Sequence, residues 1–395
     1  MNSTPNANRK HVAIFGNTNS GKSSLMNCIL NQDVSLVSDV MGTTTDPVKK
    51  AMELIGVGPI LLIDTAGLED TSKLGDLRKK KTMEVLRNTD VAVFVLDGSS
   101  PDLDSFYRWR SEAKKFNIPF IVALNKSEIA NTEIVRSLKG KNKNSICTST
   151  VTGEGIEDLR KLIGDLIEEE EEDKSLIGDL VPYGGKVILV VPIDSEAPKG
   201  RLILPQVQLI RDCLDNGIKS YVVRDTELES ALEDIKDVDL VVTDSQAFKE
   251  VSKIVKEDIR LTSFSILFAR QKGDLNVFID GVNAIRNLKE NSKVLISESC
   301  THNVSHEDIG MVKIPNLLRK YVGGNLEIVH RMGNDFPEDI EKYDLVIHCG
   351  ACMINRKTVI NRINYCKEKN VPITNYGVVL AFLTGILERS TDHIK

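Results

Sequence analysis

Gly16-Asn-Thr-Asn-Ser-Gly21-Lys22-Ser23 is the stretch that most narrows the folds open to this chain. A loop of this spacing functions where a buried strand hands over to a helix N-terminus. The apolar run His11-Val-Ala-Ile-Phe15 precedes it and a helical pattern follows, so pattern and context agree. The glycines let backbone N–H groups wrap phosphates, and the helix terminus adds positive potential. Lys22 is expected to reach the β- and γ-oxygens and the Ser23 hydroxyl to bind Mg²⁺. Asn17, Asn19, Ser20, Gly21 and Ser24 complete the expected cradle.

Such a loop implies a parallel sheet, and the chain from Lys10 to about Ile167 supplies one. Runs at Ile60–Ile63, Val91–Leu96 and Phe120–Leu124 alternate with amphipathic stretches, the pattern of a doubly wound α/β domain. Asp64-Thr-Ala-Gly67 leaves the second buried strand, where a carboxylate can hold the metal's water shell and the Gly67 N–H can meet a γ-phosphate. Gly42-Thr43-Thr44-Thr45-Asp46 lies between these two motifs. Thr44 is the candidate for a second Mg²⁺ hydroxyl, ordering when triphosphate is present.

Taken together, these motifs resemble the translation-factor-like GTPases, in the branch of the tRNA-modification GTPase and Era. The resemblance implies base selection by an Asn-Lys-x-Asp motif, which here reads Asn125-Lys126-Ser127-Glu128, and by a second loop corresponding to Ser149-Thr150. Glu128 in place of aspartate still offers two acceptors to a guanine edge. Leu68 stands where Ras-like enzymes orient water with glutamine, so slow intrinsic turnover is expected. Asn19 occupies the position that binds K⁺ in the tRNA-modification branch, which implies K⁺-stimulated hydrolysis.

At 395 residues the chain exceeds one core. Six consecutive acids, Glu168 to Asp173, read as a solvated boundary. The pattern then restarts at Val187–Val191, Tyr221–Val223 and Leu240–Thr243. It restarts again at Val294–Ser297, Leu326–Val329, Leu345–Ile347 and Ile373–Thr374, with helices between. The expectation is three consecutive α/β domains at 1–172, 173–265 and 266–395, the last two being smaller doubly wound parallel sheets. The N-terminus carries no apolar signal core and no run spans a bilayer, so a cytoplasmic protein is expected. A net charge of -6 argues against a sequence-independent hold on nucleic acid.

Of seven cysteines, three sit in motifs: Cys300-Thr-His302, and His348-Cys349-Gly-Ala-Cys352. Each follows a strand of the last segment, so both leave the carboxyl edge where α/β sheets build ligand crevices. Three soft ligands suit zinc or iron-sulfur chemistry, and a redox dithiol is a third reading. The zinc reading closes a tetrahedron with His302 or His348. The cluster reading leaves a fourth iron to Glu298, His302, His348 or an exchangeable ligand. Cys28, Cys213 and Cys366 read as helix residues packed in cores, and Trp109 as packing.

As a whole the chain resembles the HydF family of FeFe-hydrogenase maturation GTPases, on the phosphate loop, the middle segment Leu189 to Pro205, and the cysteine and histidine motifs together. That resemblance implies a scaffold that binds a 4Fe-4S cluster through Cys300, Cys349 and Cys352. It also implies GTP with Mg²⁺, a di-iron precursor received with radical-SAM maturases as partners, and delivery to apo FeFe-hydrogenase. Family members dimerise through the middle domain, so a homodimer is expected there. Two other readings stand beside it: a ribosome- or tRNA-associated GTPase with a structural zinc site, and a ferredoxin-like electron carrier.

Overall fold

The structure is a computed structural model that describes residues 6–30, 39–40, 47–67, 75–130, 142–170, 175–193, 200, 202–299, 308–333 and 335–394. Three site residues expected from the sequence, Thr44, Cys300 and His302, lie outside the described residues, as does Leu68. The chain divides into two compact units, Met1–Glu172 and Asp173–Lys395.

The first unit runs β1 (Lys10–Gly16), α1 (Lys22–Leu30), β2 (Asp39–Val40), β3 (Val48–Leu54), β4 (Gly58–Asp64), α2 (Gly75–Arg87) and β5 (Val91–Asp97). It continues with α3 (Leu103–Lys115), β6 (Phe120–Asn125), β7 (Ser145–Cys147) and α4 (Ile156–Glu170). The sheet order is β2-β3-β4-β1-β5-β6-β7. Strands β4, β1, β5, β6 and β7 are parallel, and β2 and β3 add an antiparallel edge. Continuous apolar strands are needed because helices cover both faces. Val12 and Ile14 pack with α1 and α4, whereas Ala13 and Phe15 pack with Phe106 and Trp109 of α3. Trp109 is a packing residue, its ring centroid 4.7 Å from Phe94 and 5.5 Å from Phe120.

The second unit runs β8 (Lys186–Val190), α5 (Leu204–Asp215), β9 (Lys219–Val223), α6 (Leu228–Asp234), β10 (Leu240–Thr243), α7 (Phe248–Ile254) and β11 (Arg260–Ser263). Then come α8 (Phe264–Lys272), α9 (Leu275–Val282), β12 (Lys293–Glu298), α10 (Ile314–Val322), β13 (Glu327–Met332), β14 (Leu345–His348) and α11 (Arg356–Glu368). The unit ends with β15 (Ile373–Asn375), α12 (Tyr376–Thr384) and α13 (Leu387–Thr391). Two four-stranded parallel sheets result, ordered β11-β10-β8-β9 and β13-β12-β14-β15. Their helices share one buried core, which runs from Leu176 to Ile394.

Abrupt strand-to-helix joints shape this unit. Ser263 ends β11 and caps α8, accepting from Ile266 N at 3.3 Å; Asn375 ends β15 and caps α12, accepting from Gly377 N at 2.8 Å. Each side-chain oxygen satisfies a donor that the first helical turn leaves orphaned. The starts of α8 and α12 therefore lie together, so close that a Cβ on Gly377 would sit 2.2 Å from Ser265 Oγ. Cys213 and Cys366 are fully buried core residues of α5 and α11, and Cys28 is half-buried in α1.

Candidate functional site

The nucleotide loop is braced from behind. Gly16 has φ +145, and a Cβ there would meet Val95 O at 2.4 Å. Lys22 Nζ donates to Asn17 O at 2.7 Å, and Ser20 Oγ donates to the same carbonyl at 2.9 Å. The side chain of Asn17 donates to Asp102 Oδ2 at 2.6 Å, tying the loop to the capping residue of α3.

Asn125 is completely buried and donates to Ser20 O at 3.1 Å. Its Nδ2 lies 2.2 Å from where a Cβ on Gly21 would fall, and Gly21 has φ +92. The first residue of the base-reading motif therefore also sets the shape of the phosphate loop. Gly67 completes the approach from the other side, since a Cβ on it would lie 2.4 Å from Thr18 Oγ1.

Ser23 Oγ donates to Asp64 Oδ2 at 2.5 Å, while Asp64 Oδ1 is buried with no hydrogen-bond partner. Burial pushes the Asp64 carboxyl up, opposed by Ser23 and Lys22. Burial pushes the Lys22 ammonium down, opposed by Asp64. A hydroxyl and a carboxylate held together with one oxygen orphaned form a donor set that fits Mg²⁺.

At the base end, Lys126 adopts φ +60 and pairs with Asp97 Oδ2 at 2.5 Å. Burial raises the Asp97 carboxyl, but hydrogen bonds from Lys126 and Ser99 outweigh it and hold the group below the usual carboxylate range. Glu128 is exposed, and a hydrogen bond with Ser149 holds it below its usual range. Ser149 is fully buried and accepts from Thr152 N at 3.1 Å, and its own N–H donates to Glu154 O at 3.0 Å. Ser127 Oγ donates to Glu154 Oε2 at 3.1 Å. The two base loops are thus cross-linked through Ser127, Glu154 and Ser149. Thr150 lies half-buried beside them, its carbonyl 3.7 Å from Cys28 Sγ. Asp97 and Glu154 were not singled out from the sequence; the only signal for Asp97 is a carboxylate ending a buried strand.

In the second unit, both sheets turn their carboxyl edges toward one cavity of about 190 Å³. One wall is Ser245 and Phe264, beyond β10 and β11; the other is Glu298, Cys349, Cys352 and Tyr376, at and beyond the ends of β12, β14 and β15. The register sets this second wall, since Ser297 pairs with His348 and His348 with Asn375.

Cys349 is buried, and its Sγ accepts from Ser299 N at 3.1 Å and Ala351 N at 3.4 Å. Ser299 Oγ lies 3.0 Å from the same sulfur. Burial pushes the Cys352 thiol up, and so does Cys349, while Lys272 pulls it down. Among the described residues no group of three or more His, Cys, Asp or Glu side chains is gathered as a metal site. The described part of the thiol motif, two cysteines lining one cavity with N–H donors on the sulfur of Cys349, fits a soft metal centre.

His348 stands apart from the cavity. Its ring lies against Arg362, whose Nη1 is 2.9 Å from Nε2, and Nδ1 is 2.9 Å from Cys349 O. A guanidinium only donates, so Nε2 accepts and Nδ1 carries the proton. Burial, then Arg362, push the imidazole down to about 3. The ring supports the loop backbone, with both nitrogens engaged by protein. Glu298, 2% exposed, accepts from Tyr376 Oη at 2.7 Å. Tyr376, Arg362 and Lys272 carry no motif and were not expected at the site.

The chain matches family models along most of its length: "50S ribosome-binding GTPase" over residues 11–126, "Hydrogen maturase F dimerization domain" over 176–273, and "Hydrogen maturase F tetramerization domain" over 276–393. The tRNA modification GTPase MnmE of Endomicrobium trichonymphae is 37% identical over 152 residues, 38% of this chain and 33% of that protein. GTPase Der of Wolinella succinogenes is 41% identical over 125 residues, 31% of this chain and 26% of that protein. The chain therefore spans a third or less of the length of these relatives. The structure of Aquifex aeolicus Era with GDP.AlF4- is matched at 21% identity and TM-score 0.34, covering 54% of this chain and 94% of that protein. No helix among the described residues is long and apolar enough to cross a membrane. A GTPase domain followed by both hydrogen maturase F domains, which together span more than half of the sequence, shows that the chain belongs to the HydF family of hydrogenase maturation GTPases.

Proposed function

We propose that the protein is a GTP-dependent scaffold that holds a 4Fe-4S cluster and a di-iron precursor and delivers the precursor to apo FeFe-hydrogenase. The observation that carries this reading is the placement of Cys349 and Cys352 in the wall of the cavity between the two sheets of the second unit. Cys300, two residues beyond the end of β12, is the proposed third thiolate. A cluster so held supplies an iron with an exchangeable fourth position. Glu298 and His302 are the proposed candidates for that position, along with an exchangeable ligand; the third sequence candidate, His348, has both nitrogens engaged elsewhere.

In the first unit, Lys22 and the loop amides bind the phosphates, and Ser23 with Asp64 holds the metal's shell. Bound Mg²⁺ offsets the negative charge on the β- and γ-phosphates. Thr44 and Gly67 are the proposed γ-phosphate sensors, with K⁺ beside Asn19 stimulating turnover. Asn125, Lys126 and Glu128 select guanine. The radical-SAM maturases are the proposed partners, the oligomer is a homodimer through the middle segment, and the compartment is the cytoplasm.

The hydrogen maturase F matches favour this reading over a zinc-stapled ribosomal GTPase. Activation of apo-hydrogenase by anaerobically loaded protein tests it. Loss of activation in Cys349→Ala with GTP turnover retained is the expected result, and full activation by that variant contradicts it.

A further inference from the structure

Lys272 ends α8 and is 6% exposed, a placement a lysine seldom takes without dedicated partners. Its ammonium donates to Ala351 O at 2.9 Å and to Ile354 O at 3.1 Å, in the turn that carries Cys349 and Cys352. Arg356, opening α11 just after that turn, donates in the opposite direction to Gln271 O at 2.8 Å and Gly273 O at 3.2 Å. Two cations therefore cross between α8 and the thiol turn, each satisfying carbonyls on the other side. The exchange joins the segment matched as the dimerization domain to the one matched as the tetramerization domain.

The gripped turn needs holding. Ala351 has φ +57, in the left-handed region that L side chains rarely adopt. Lys272 binds the carbonyl of that same residue, and Cys349 Sγ receives its N–H. Ala351 is thus fixed on both sides, by the ammonium at one end and the sulfur at the other. The charge also matters, because a buried cation acts across a low-dielectric interior far more strongly than one in water. Burial lowers the ammonium to about 8, opposed by negative charge on Cys352 and Cys349.

We propose that Lys272 is a positioning residue of the thiol centre: it holds the Cys349-to-Cys352 turn in shape from α8 and supplies a fixed positive charge that raises the reduction potential of a cluster bound there. The inference rests on the cluster binding proposed above. Reduction adds negative charge to the cluster, and a nearby cation stabilises the reduced form more than the oxidised one. Two roles follow, a hydrogen-bonding one and an electrostatic one, and separate substitutions remove them.

The full chain as wild type, Lys272→Gln and Lys272→Met is reconstituted anaerobically with iron and sulfide. Iron is counted, and the midpoint potential is read by EPR. Lys272→Gln keeps an N–H donor without the charge. It is expected to hold wild-type iron while its reduced-to-oxidised ratio at a fixed potential falls about tenfold, or 59 mV for one electron. Lys272→Met, lacking both, is expected to show the same shift and to lose half or more of its iron. GTP turnover is expected to stay at the wild-type rate in both. A wild-type potential in Lys272→Gln, whether fully loaded or in the fraction that retains iron, overturns the electrostatic role. Wild-type iron in Lys272→Met overturns the positioning role. Should the wild type itself load no cluster, the proposed function fails and this inference with it; a loaded wild type with unshifted variants removes this inference alone.

Discussion

Arg362 and His348 meet at 2.9 Å inside the second unit, where the arginine is 5% and the histidine 1% exposed. Arg362 also donates to Ser297 Oγ at 3.2 Å and to Gly333 O at 2.7 Å, so one guanidinium ties β14 to β12 and to the turn after β13. Truncating it takes the donor from two buried acceptors, Ser297 Oγ and His348 Nε2, and from the half-buried Gly333 carbonyl at once. Arg362→Ala is expected to cost about 2–4 kcal/mol, read as a lower urea midpoint at unchanged slope. A loss under about 0.5 kcal/mol would show that water replaces the guanidinium there.

Gly21 faces Asn125 so closely that no side chain fits between them. Gly21→Ala combines a φ of +92 with a clash at 2.2 Å. About 1–3 kcal/mol of strain corresponds to roughly five- to hundredfold weaker GDP binding, measurable by calorimetry. Wild-type affinity would mean that Asn125 moves aside freely and does not brace the loop.

The Ser23 and Asp64 pair is expected to act through the metal. Ser23→Ala should slow Mg²⁺-dependent GTP turnover by about a hundredfold or more, several kcal/mol of charge stabilisation. GDP binding measured in EDTA should stay near the wild-type value. Equal losses in both measurements would assign Ser23 to the loop's shape instead.

Asp97 gives a pH dependence with a definite sign. Its carboxyl is held below its ordinary value in the folded state, so the unfolded chain binds a proton first as pH falls. Its contribution is present above the unfolded value of about 3.9 and is lost as pH drops through the lower folded value. Asp97→Asn should flatten that acid limb of stability and, by freeing Lys126, weaken nucleotide binding at neutral pH. An unchanged acid limb would show that the ion pair adds no stability.

Much of this was legible because the relevant signals are local. The phosphate loop, the strands that precede each motif and the core helices carrying Cys213 and Cys366 all follow from spacing and apolar runs. Strand β11 was not legible, because Arg-Leu-Thr-Ser is short, half polar and passes straight into α8. Helix α9 stops at Val282 and the chain continues as a 3-10 turn over Asn283–Asn287, a break that no proline in the sequence marks. Lys272 was illegible for a different reason: a lysine near a helix end reads as solvated, and only the fold brings the Ala351 carbonyl to it. The convergence of two sheet edges on one cavity is likewise invisible in sequence separation, and so is the engagement of both His348 nitrogens.

The proposed scaffold function depends on iron held by the cysteine motifs. Iron, sulfide and zinc counted on wild type and Cys349→Ala after anaerobic reconstitution, with EPR of the reduced proteins, tests this most directly. The expected result is about four irons per wild-type chain with a 4Fe-4S signal, and loss of most iron and of the signal in the variant. Stoichiometric zinc that resists exchange, or iron unaffected by Cys349→Ala, would contradict it.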